Sequence, residues 1–209
     1  MTSDVTNEVE PASTVGASSR YVDWEFAKAT GARLSPPGPK VSRREVAAVV
    51  ADLKAAAAYA REPVAATAQL TSPDDRPALV VDRATWVAAN VETFAAVMDP
   101  VVATMDRATG PAALRAVGAK VSAAEAGALL AFLSSKVLGQ YDLAPSGSPR
   151  LMLVAPNIVE AERELDVDPT DFRRWVAMHE ETHRVQFTAV PWLRQHLLDL
   201  MADLTGSIA

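Results

Sequence analysis

The feature that most constrains the fold is the stretch from Asp168 to Trp192, DPTDFRRWVAMHEETHRVQFTAVPW, which has the pattern H-E-x-x-H at its centre. Asp168 is a good N-cap residue, and Pro169 suits the first position of a helix. Asp171 stands where the acid of a capping box belongs. Pro191 can stop the helix at its other end. The pattern predicts a single helix across this stretch.

The two histidines of the pattern, His179 and His183, lie four residues apart. On a helix this spacing puts both imidazoles on one face, where they can bind a single metal ion, with Glu180 at the flank. Apolar residues at helical spacing predict that both histidines lie on the buried side of the helix; they are Phe172, Trp175, Val176 and Phe187. The alternative is a pair of core histidines satisfied by nearby carboxylates.

The chain has no cysteine. This excludes disulfides, thiolate zinc ligands and a cysteine nucleophile, so a zinc site must use His, Glu or Asp, as catalytic zinc sites do. Catalytic zinc usually takes three protein ligands and a water. No glutamate follows His183. The candidates for the third ligand are therefore His196, Asp199 and Asp203, each of which could instead be a surface residue of the last helix.

The motif predicts a zinc hydrolase, with a peptide or protein as the first candidate for its substrate. Zinc held by the two histidines would lower the pKa of a water and polarise a carbonyl group. Glu180 would take the proton of that water and pass it to the leaving amine. Tyr141 and Arg184 are candidates for stabilising the oxyanion, and each also has a structural interpretation, as a core tyrosine and a carboxylate-paired arginine.

Charge and hydropathy limit the classes of partner and the cellular locations that suit this chain. The net charge is −6 and the pI is near 5.1, which argues against nucleic acid or an anionic membrane as the main partner. No uninterrupted apolar run reaches about 18 residues, which predicts no membrane span. The first residues contain no apolar run typical of a signal peptide, which favours a cytoplasmic location. Residues 1–20 are predicted to be a disordered tail before a single domain at 21–209.

The periodic patterns predict a mainly helical fold of the α+β class with a minor, two-stranded β element. The short apolar runs at 78–82 and 150–154 are expected to form the two strands and to pair. The sequence 139–142 is expected to end a helix that begins at a capping box formed by Ser122 and Glu125. Further helices are predicted at 21–32, at 42–61 with a short continuation at 63–70, at 158–165 and at 192–204. Another helix is predicted to begin at residue 85, and two weak helices are predicted between residues 100 and 117.

Several longer motifs carry a family resemblance. They are VDW at 22–24 with LSPPGP at 34–39, VDR at 81–83, LSSKVLGQYD at 133–142, LVAPN at 153–157 and HEETHRVQF at 179–187. Together they resemble an actinobacterial family described as zinc-dependent metalloproteases and sometimes labelled as associated with deazaflavin coenzyme biosynthesis.

The resemblance implies a zincin-like fold, in which the strand at 151–154 would offer an edge to an extended peptide. Members of that family carry a further downstream helix with a Leu-Glu-Gly-His-Ala type motif, a source of a glutamate ligand. This chain has no such motif after His183, which predicts that it lacks the C-terminal part of the family's domain.

Two other functions stay open at this point. One is a non-catalytic protein that zinc stabilises for interaction with a partner, since the ligand set looks incomplete and the last helix has an apolar face. The other is an accessory role in deazaflavin coenzyme synthesis, which the family label alone supports. The sequence has no Gly-rich phosphate loop, which weakens a direct cofactor-binding role. The oligomeric state is not predicted.

Overall fold

The computed structural model describes residues 21–104, 111–144 and 147–206, and the predicted tail at 1–20 lies outside these ranges. Within them, helices surround a sheet of three short strands. The helices are α1 (Trp24–Leu34), α2 (Arg43–Ala68), α3 (Arg83–Thr104), α4 (Ala112–Leu133), α5 (Ala155–Glu164), α6 (Pro169–Ala189) and α7 (Pro191–Gly206). The strands are β1 (Leu79–Val81), β2 (Gly139–Asp142) and β3 (Arg150–Val154). The mainly helical α+β class is confirmed, with three strands where two were predicted.

The strand order is β1-β3-β2. β1 pairs in parallel with β3, which confirms the predicted pairing of the two apolar runs, and β2 pairs antiparallel with β3. The prediction that residues 139–142 end a helix is wrong, because they form an edge strand. The prediction of a peptide-binding edge at 151–154 is also wrong, because β3 is the central strand and is paired on both sides.

The sheet separates two layers of helices, and the side chains of β3 alternate between them. Leu151 and Leu153 pack with residues of α2, α5 and α6. Met152 and Val154 pack with residues of α1, α3 and α4. Burial on both faces explains why this strand is a continuous apolar run rather than an alternating one.

Two predicted helix boundaries are wrong. α2 runs without a break through Pro63 to Ala68, so the helix predicted at 42–61 and its predicted continuation at 63–70 are one helix. α4 is one helix from Ala112 to Leu133, so Ser122 lies inside a helix and is no cap. A capping box needs a non-helical first residue, and the buried small residues of α4 continue across this point. The predicted break near 110–111 falls partly outside the described residues.

Two buried side chains join most of the stretches that carried the family resemblance. Arg83 donates from Nε to Oδ1 of Asn157 at 2.6 Å and from one terminal nitrogen to the carbonyls of Pro36 and Pro37. Asn157 in turn donates from Nδ2 to the carbonyls of Ser134 and Val137 at 2.7 and 2.6 Å. The markers at 34–39, 81–83, 133–142 and 153–157 are therefore parts of one hydrogen-bonded junction.

By length and composition alone, α4 could cross a membrane, although the sequence analysis predicted no membrane span. Its mean hydropathy over 18 residues reaches 1.5, and 28% of that window is buried within the protein. The prediction counted only uninterrupted apolar runs and so missed a helix that carries Arg115, Lys120 and Glu125. A core helix passes the same test, and α4 packs on α1 and α3. The finding is therefore weak evidence for a membrane, and the cytoplasmic location stays a prediction.

Helices α1 and α4 cross at a pair of glycines, and we expect Gly127→Ala to lower the free energy of unfolding by about 1–3 kcal/mol. A Cβ at Gly127 would lie 2.5 Å from the carbonyl oxygen of Ala27 and 3.0 Å from the amide nitrogen of Gly31, so the two backbones must separate. The matched control is Gly118→Ala in the same helix, where a Cβ meets nothing within 4 Å. That substitution should stabilise the chain by about 0.5–1 kcal/mol. Urea unfolding of both variants checks the difference in sign.

Candidate active site

The helix that carries the H-E-x-x-H pattern is α6, and its N-terminus forms as its sequence predicts. The side chain of Asp168 accepts hydrogen bonds from the backbone N–H groups of Thr170 and Asp171 at 2.8 and 3.0 Å. Pro169 occupies the first turn, where a missing N–H removes no helical hydrogen bond. The helix ends at Ala189, just before Pro191. The motif therefore lies in the second half of a well-capped helix.

The two imidazoles lie side by side on this helix. The ring centroids of His179 and His183 are 4.9 Å apart, and the rings are nearly perpendicular at 84°. His183 Nδ1 is 3.4 Å from Oε1 of Gln186, and the ring of His179 is 5.8 Å from that of Trp175. Two imidazoles one helical turn apart can bind the same metal ion.

The prediction that the histidines lie on the buried side is wrong. His179 is exposed, His183 is half-buried, and Trp175 is 55% exposed. The buried face of α6 lies beside the predicted one, because the residues that follow the aromatic residues and histidines in sequence are the buried ones. These are Val176, Ala177, Glu180, Glu181, Arg184 and Val185. Aromatic residues and histidines line the rim of this face. The imidazoles are consequently open to solvent, from which an ion could reach them.

Glu180 is the buried member of the motif, with 5% of its surface exposed. Its side chain lies directly on Gly139, the first residue of β2. A Cβ added to Gly139 would come within 2.5 Å of Glu180 Cγ and 2.8 Å of Oε1. No hydrogen bond or ion pair to the carboxylate is found in the described part of the chain. Burial raises the pKa of the Glu180 carboxyl from its ordinary 4.5 to about 7.

We expect the metal-free chain to lose stability as the pH rises from about 4.5 to about 7. Within this window the folded chain holds a proton on Glu180 that the unfolded chain has released. The lower limit is the ordinary pKa of the carboxyl group, 4.5, which applies to the unfolded chain, and the upper limit is its pKa in the folded chain, about 7. Below the window both states are protonated, and above it neither is. The full effect is on the order of 3 kcal/mol at most.

A Glu180→Gln variant should lack this decrease, since its amide does not titrate. Urea unfolding in the presence of a chelator, at pH values below, within and above the window, measures the difference between the two chains. Parallel pH profiles of the parent and the variant would contradict the prediction.

The three candidates for the third ligand all lie on α7. The ring of His196 is 5.8 Å from that of Trp192. Asp199 accepts a hydrogen bond from Nε2 of Gln195 at 2.8 Å, and Asp203 is exposed. Across residues 21–104, 111–144 and 147–206, no three His, Asp or Glu side chains form a group that could hold a metal ion. The structure therefore does not bring any of the three candidates together with the two histidines of the motif.

The two candidates for oxyanion stabilisation are both buried. Tyr141 is 8% exposed, its ring stacks on that of Phe187 at 6.3 Å, and its hydroxyl has no hydrogen-bond partner among the described residues. Burial, and to a smaller extent Asp74, raises the pKa of Tyr141. Arg184 forms an ion pair with Glu181 and donates to the carbonyl of Arg76 at 2.6 Å. The described contacts of Arg184 are thus those of a structural ion pair.

Sequence reasoning missed the role of Gly139. The residue looked like a helix terminator, whereas it opens β2 and leaves room for the Glu180 side chain. The only signal in the sequence was a glycine followed by the alternation Gln140, Tyr141, Asp142. In the structure Gln140 bonds reciprocally with Asn90, at 3.0 and 3.2 Å, while Tyr141 faces α6. These contacts fix the strand against α3 on one side and α6 on the other.

The chain is similar to a solved structure and matches the model of a protein family. No curated protein matches the chain. A crystal structure described as "a putative hydrolase with a novel fold", from Chloroflexus aurantiacus, is similar with a TM-score of 0.66 and 28% identity. The match covers 88% of this chain but 59% of the length of that protein. The actinobacterial origin and the deazaflavin link stay predictions. The model of the zincin-like metallopeptidase family matches residues 22–209, and the chain therefore belongs to that family.

Proposed function

We propose that the chain is a zinc-dependent metallopeptidase in which His179 and His183 are metal ligands and Glu180 is the general base. One observation carries the proposal. Two imidazoles, 4.9 Å apart and open to solvent, stand beside a buried carboxylate on the same helix. Membership of the zincin-like metallopeptidase family and the similarity to a protein described as "a putative hydrolase" support the reaction class.

The donor set fits zinc in part. Imidazole nitrogens are common zinc ligands, and two of them on one helix leave coordination positions for a third protein ligand and for water. In this proposal the third ligand comes from outside the described residues, since none of these completes the group. When bound, zinc supplies Lewis acidity, which lowers the pKa of a water molecule and polarises the scissile carbonyl.

The chain's own part in the reaction is to hold and move a proton at Glu180. Its carboxylate accepts a proton as water adds to the amide carbon, and then donates it to the leaving nitrogen. The products are a carboxylic acid and an amine, with one water consumed. Contact with Gly139 restricts the positions open to this side chain, so the carboxylate is held in place before a substrate binds.

The edge strand beside Glu180 supports a peptide as substrate. β2 begins at Gly139, in contact with Glu180, and it pairs with β3 on one side only within the described residues. An extended peptide can pair with such an edge through main-chain hydrogen bonds. This replaces the expected edge at 151–154, which is paired on both sides.

Metal content tests the proposal most directly. The full chain is dialysed first against a zinc solution and then against zinc-free buffer. Elemental analysis should then find one zinc ion per chain. His183→Ala should lose it, while His196→Ala, a change of the same type on α7, should keep it. Peptide hydrolysis, read as new amino termini in a denatured protein mixture, should follow the zinc. A parent chain that retains no zinc, or a zinc-loaded chain that cuts nothing, would overturn the proposal for this chain.

A non-catalytic, zinc-stabilised interaction protein is the second candidate. The lack of a third ligand in the described part favours it, as do three largely exposed apolar residues on α7, Trp192, Leu200 and Leu204. Chelation separates the two functions. A structural zinc should be needed for the helices, whereas removal of a catalytic zinc should leave the circular dichroism spectrum unchanged. Nothing in the described residues favours the coenzyme-synthesis role.

A further inference from the structure

A groove runs between helix α2 and the edge strand β1, on the side of the sheet opposite to β2. Two adjoining cavities, of about 420 and 610 Å³, form it. Both have Val80 and Val81 in their walls. Residues at helical spacing on one face of α2, from Val46 to Arg61, form the facing wall. At 1.5 Å per residue this wall is about 22 Å long, which accommodates six or seven residues of extended chain.

The backbone of β1 is unpaired along this groove. β1 lies at the edge of the sheet and, among the described residues, pairs with β3 alone. Apart from that pairing, no hydrogen bond to residues 79–81 occurs in the described ranges. An unpaired edge presents N–H and C=O groups that an additional strand can use. The groove therefore offers main-chain hydrogen bonds beside a helix, in the arrangement that binds peptides by strand addition.

The two ends of the groove differ in chemistry. The end near the C-terminus of β1 is mainly apolar, with Val41, Val46, Val49 and Val50 in its wall. The end near the N-terminus of β1 carries Lys54, Arg61 and Arg76, with Asp75 as its carboxylate. Arg76 is paired with Asp74, but no ion pair neutralises Lys54 or Arg61 in the described part of the chain. This end thus keeps an excess of positive charge.

We propose that this groove binds an extended segment of a partner protein, which adds to β1 as a fourth strand. The partner segment carries aliphatic or β-branched residues followed by acidic residues. We place it antiparallel to β1, because antiparallel pairing is slightly more stable per residue. Its N-terminal half then lies in the valine-lined end, and its acidic residues lie beside Lys54 and Arg61. The proposal does not rest on the metal site, since the groove follows the other edge of the sheet.

The test uses the full chain and a labelled octapeptide, Val-Ile-Thr-Val-Thr-Glu-Thr-Glu, followed by fluorescence anisotropy. We expect saturable binding that is lost when lysine replaces both glutamates of the peptide. N-methylation of alternate peptide amides, made in both registers, should abolish binding in one register only, because only one set of N–H groups faces β1. Binding that tolerates either change, or no binding at all, overturns the proposal.

Two matched pairs of variants locate the site. Lys54→Glu should weaken binding by about 5- to 10-fold, whereas Arg44→Glu, the same charge change on another side of α2, should not. Val46→Glu should weaken binding by about 10-fold, and Ala48→Glu on the opposite side of α2 should leave it unchanged. Equal losses within a pair would overturn the proposal.

Two further outcomes would show that the groove has another occupant or that the peptide binds at another site. If sedimentation shows a dimer that Lys54→Glu and Val46→Glu dissociate, the occupant is a second copy of this chain and the proposal is wrong. If His183→Ala abolishes peptide binding, the peptide occupies the metal site and the proposal is also wrong. Neither result depends on whether the chain hydrolyses peptides, so failure of the metallopeptidase proposal would leave this test intact.

Discussion

Glu180→Gln should lower kcat by about 100- to 10,000-fold while the chain keeps its zinc. The amide has nearly the same shape as the carboxyl group, so it fits the same space against Gly139. It cannot accept a proton, however, so in the proposed mechanism the addition of water to the carbonyl loses its base. The two histidines are unchanged, and metal content should therefore stay at the parental value. Turnover of a peptide substrate and elemental analysis on the same sample measure both quantities.

The matched control for this substitution is Glu164→Gln, the same chemical change at an exposed position at the end of α5. It should alter neither turnover nor zinc content. A Glu180→Gln variant that turns over at the parental rate would rule out Glu180 as the base. A variant that loses its zinc would instead make Glu180 a ligand, which the geometry of the histidine pair does not require.

Arg184→Leu should lower the free energy of unfolding by about 3–5 kcal/mol. Arg184 and Glu181 are 2% and 3% exposed, and Nε of the arginine lies 2.8 Å from the carboxylate oxygen. Removing the guanidinium leaves a buried carboxylate without its counter-charge, and it also leaves the carbonyl of Arg76 without its donor. Urea unfolding of the metal-free chain measures the loss without any contribution from zinc.

A double variant separates the ion pair from the packing of the arginine stem. Arg184→Leu combined with Glu181→Leu should recover much of the lost stability, since a buried pair replaced by apolar residues often costs little. The control is Arg174→Leu on the same helix, where an exposed guanidinium lies over the ring of Tyr59. It should cost about 1 kcal/mol or less. A double variant as unstable as Arg184→Leu would contradict the explanation by an unpaired charge.

The parts of the fold that depend on local signals could be predicted from the sequence. α6 begins where Asp168 and Pro169 place it, because capping acts within one helical turn. The pairing of β1 with β3 could be predicted from two short apolar runs. A strand that is buried on both faces, as β3 is, appears in the sequence as a continuous apolar run. β2 could not be predicted in this way. It has four residues, of which Tyr141 alone is apolar, and its position depends on tertiary contacts with α3 and α6.

The orientation of α6 was not accessible from periodicity, for a physical reason. Phe172, Trp175, His179 and His183 repeat at helical spacing and look like a buried stripe. In the structure, Glu180, Glu181 and Arg184 occupy buried positions next to this stripe. Hydrophobicity assigns such charged residues to solvent, but an internal ion pair and the space at Gly139 make their burial possible. The motif predicted the residues of the candidate site as a group, but it could not show which of them is enclosed.

The order of the elements along the chain has a consequence for biosynthesis. α6 packs on α2, β2, β3 and α5, all of which precede it in sequence. During translation the helix with the H-E-x-x-H pattern therefore leaves the ribosome after every one of these partners, and it can dock on a surface that has already begun to fold. A chain that has not been synthesised past residue 178 has neither the imidazole pair nor the carboxylate. The candidate site can consequently assemble only on elements that have already been made.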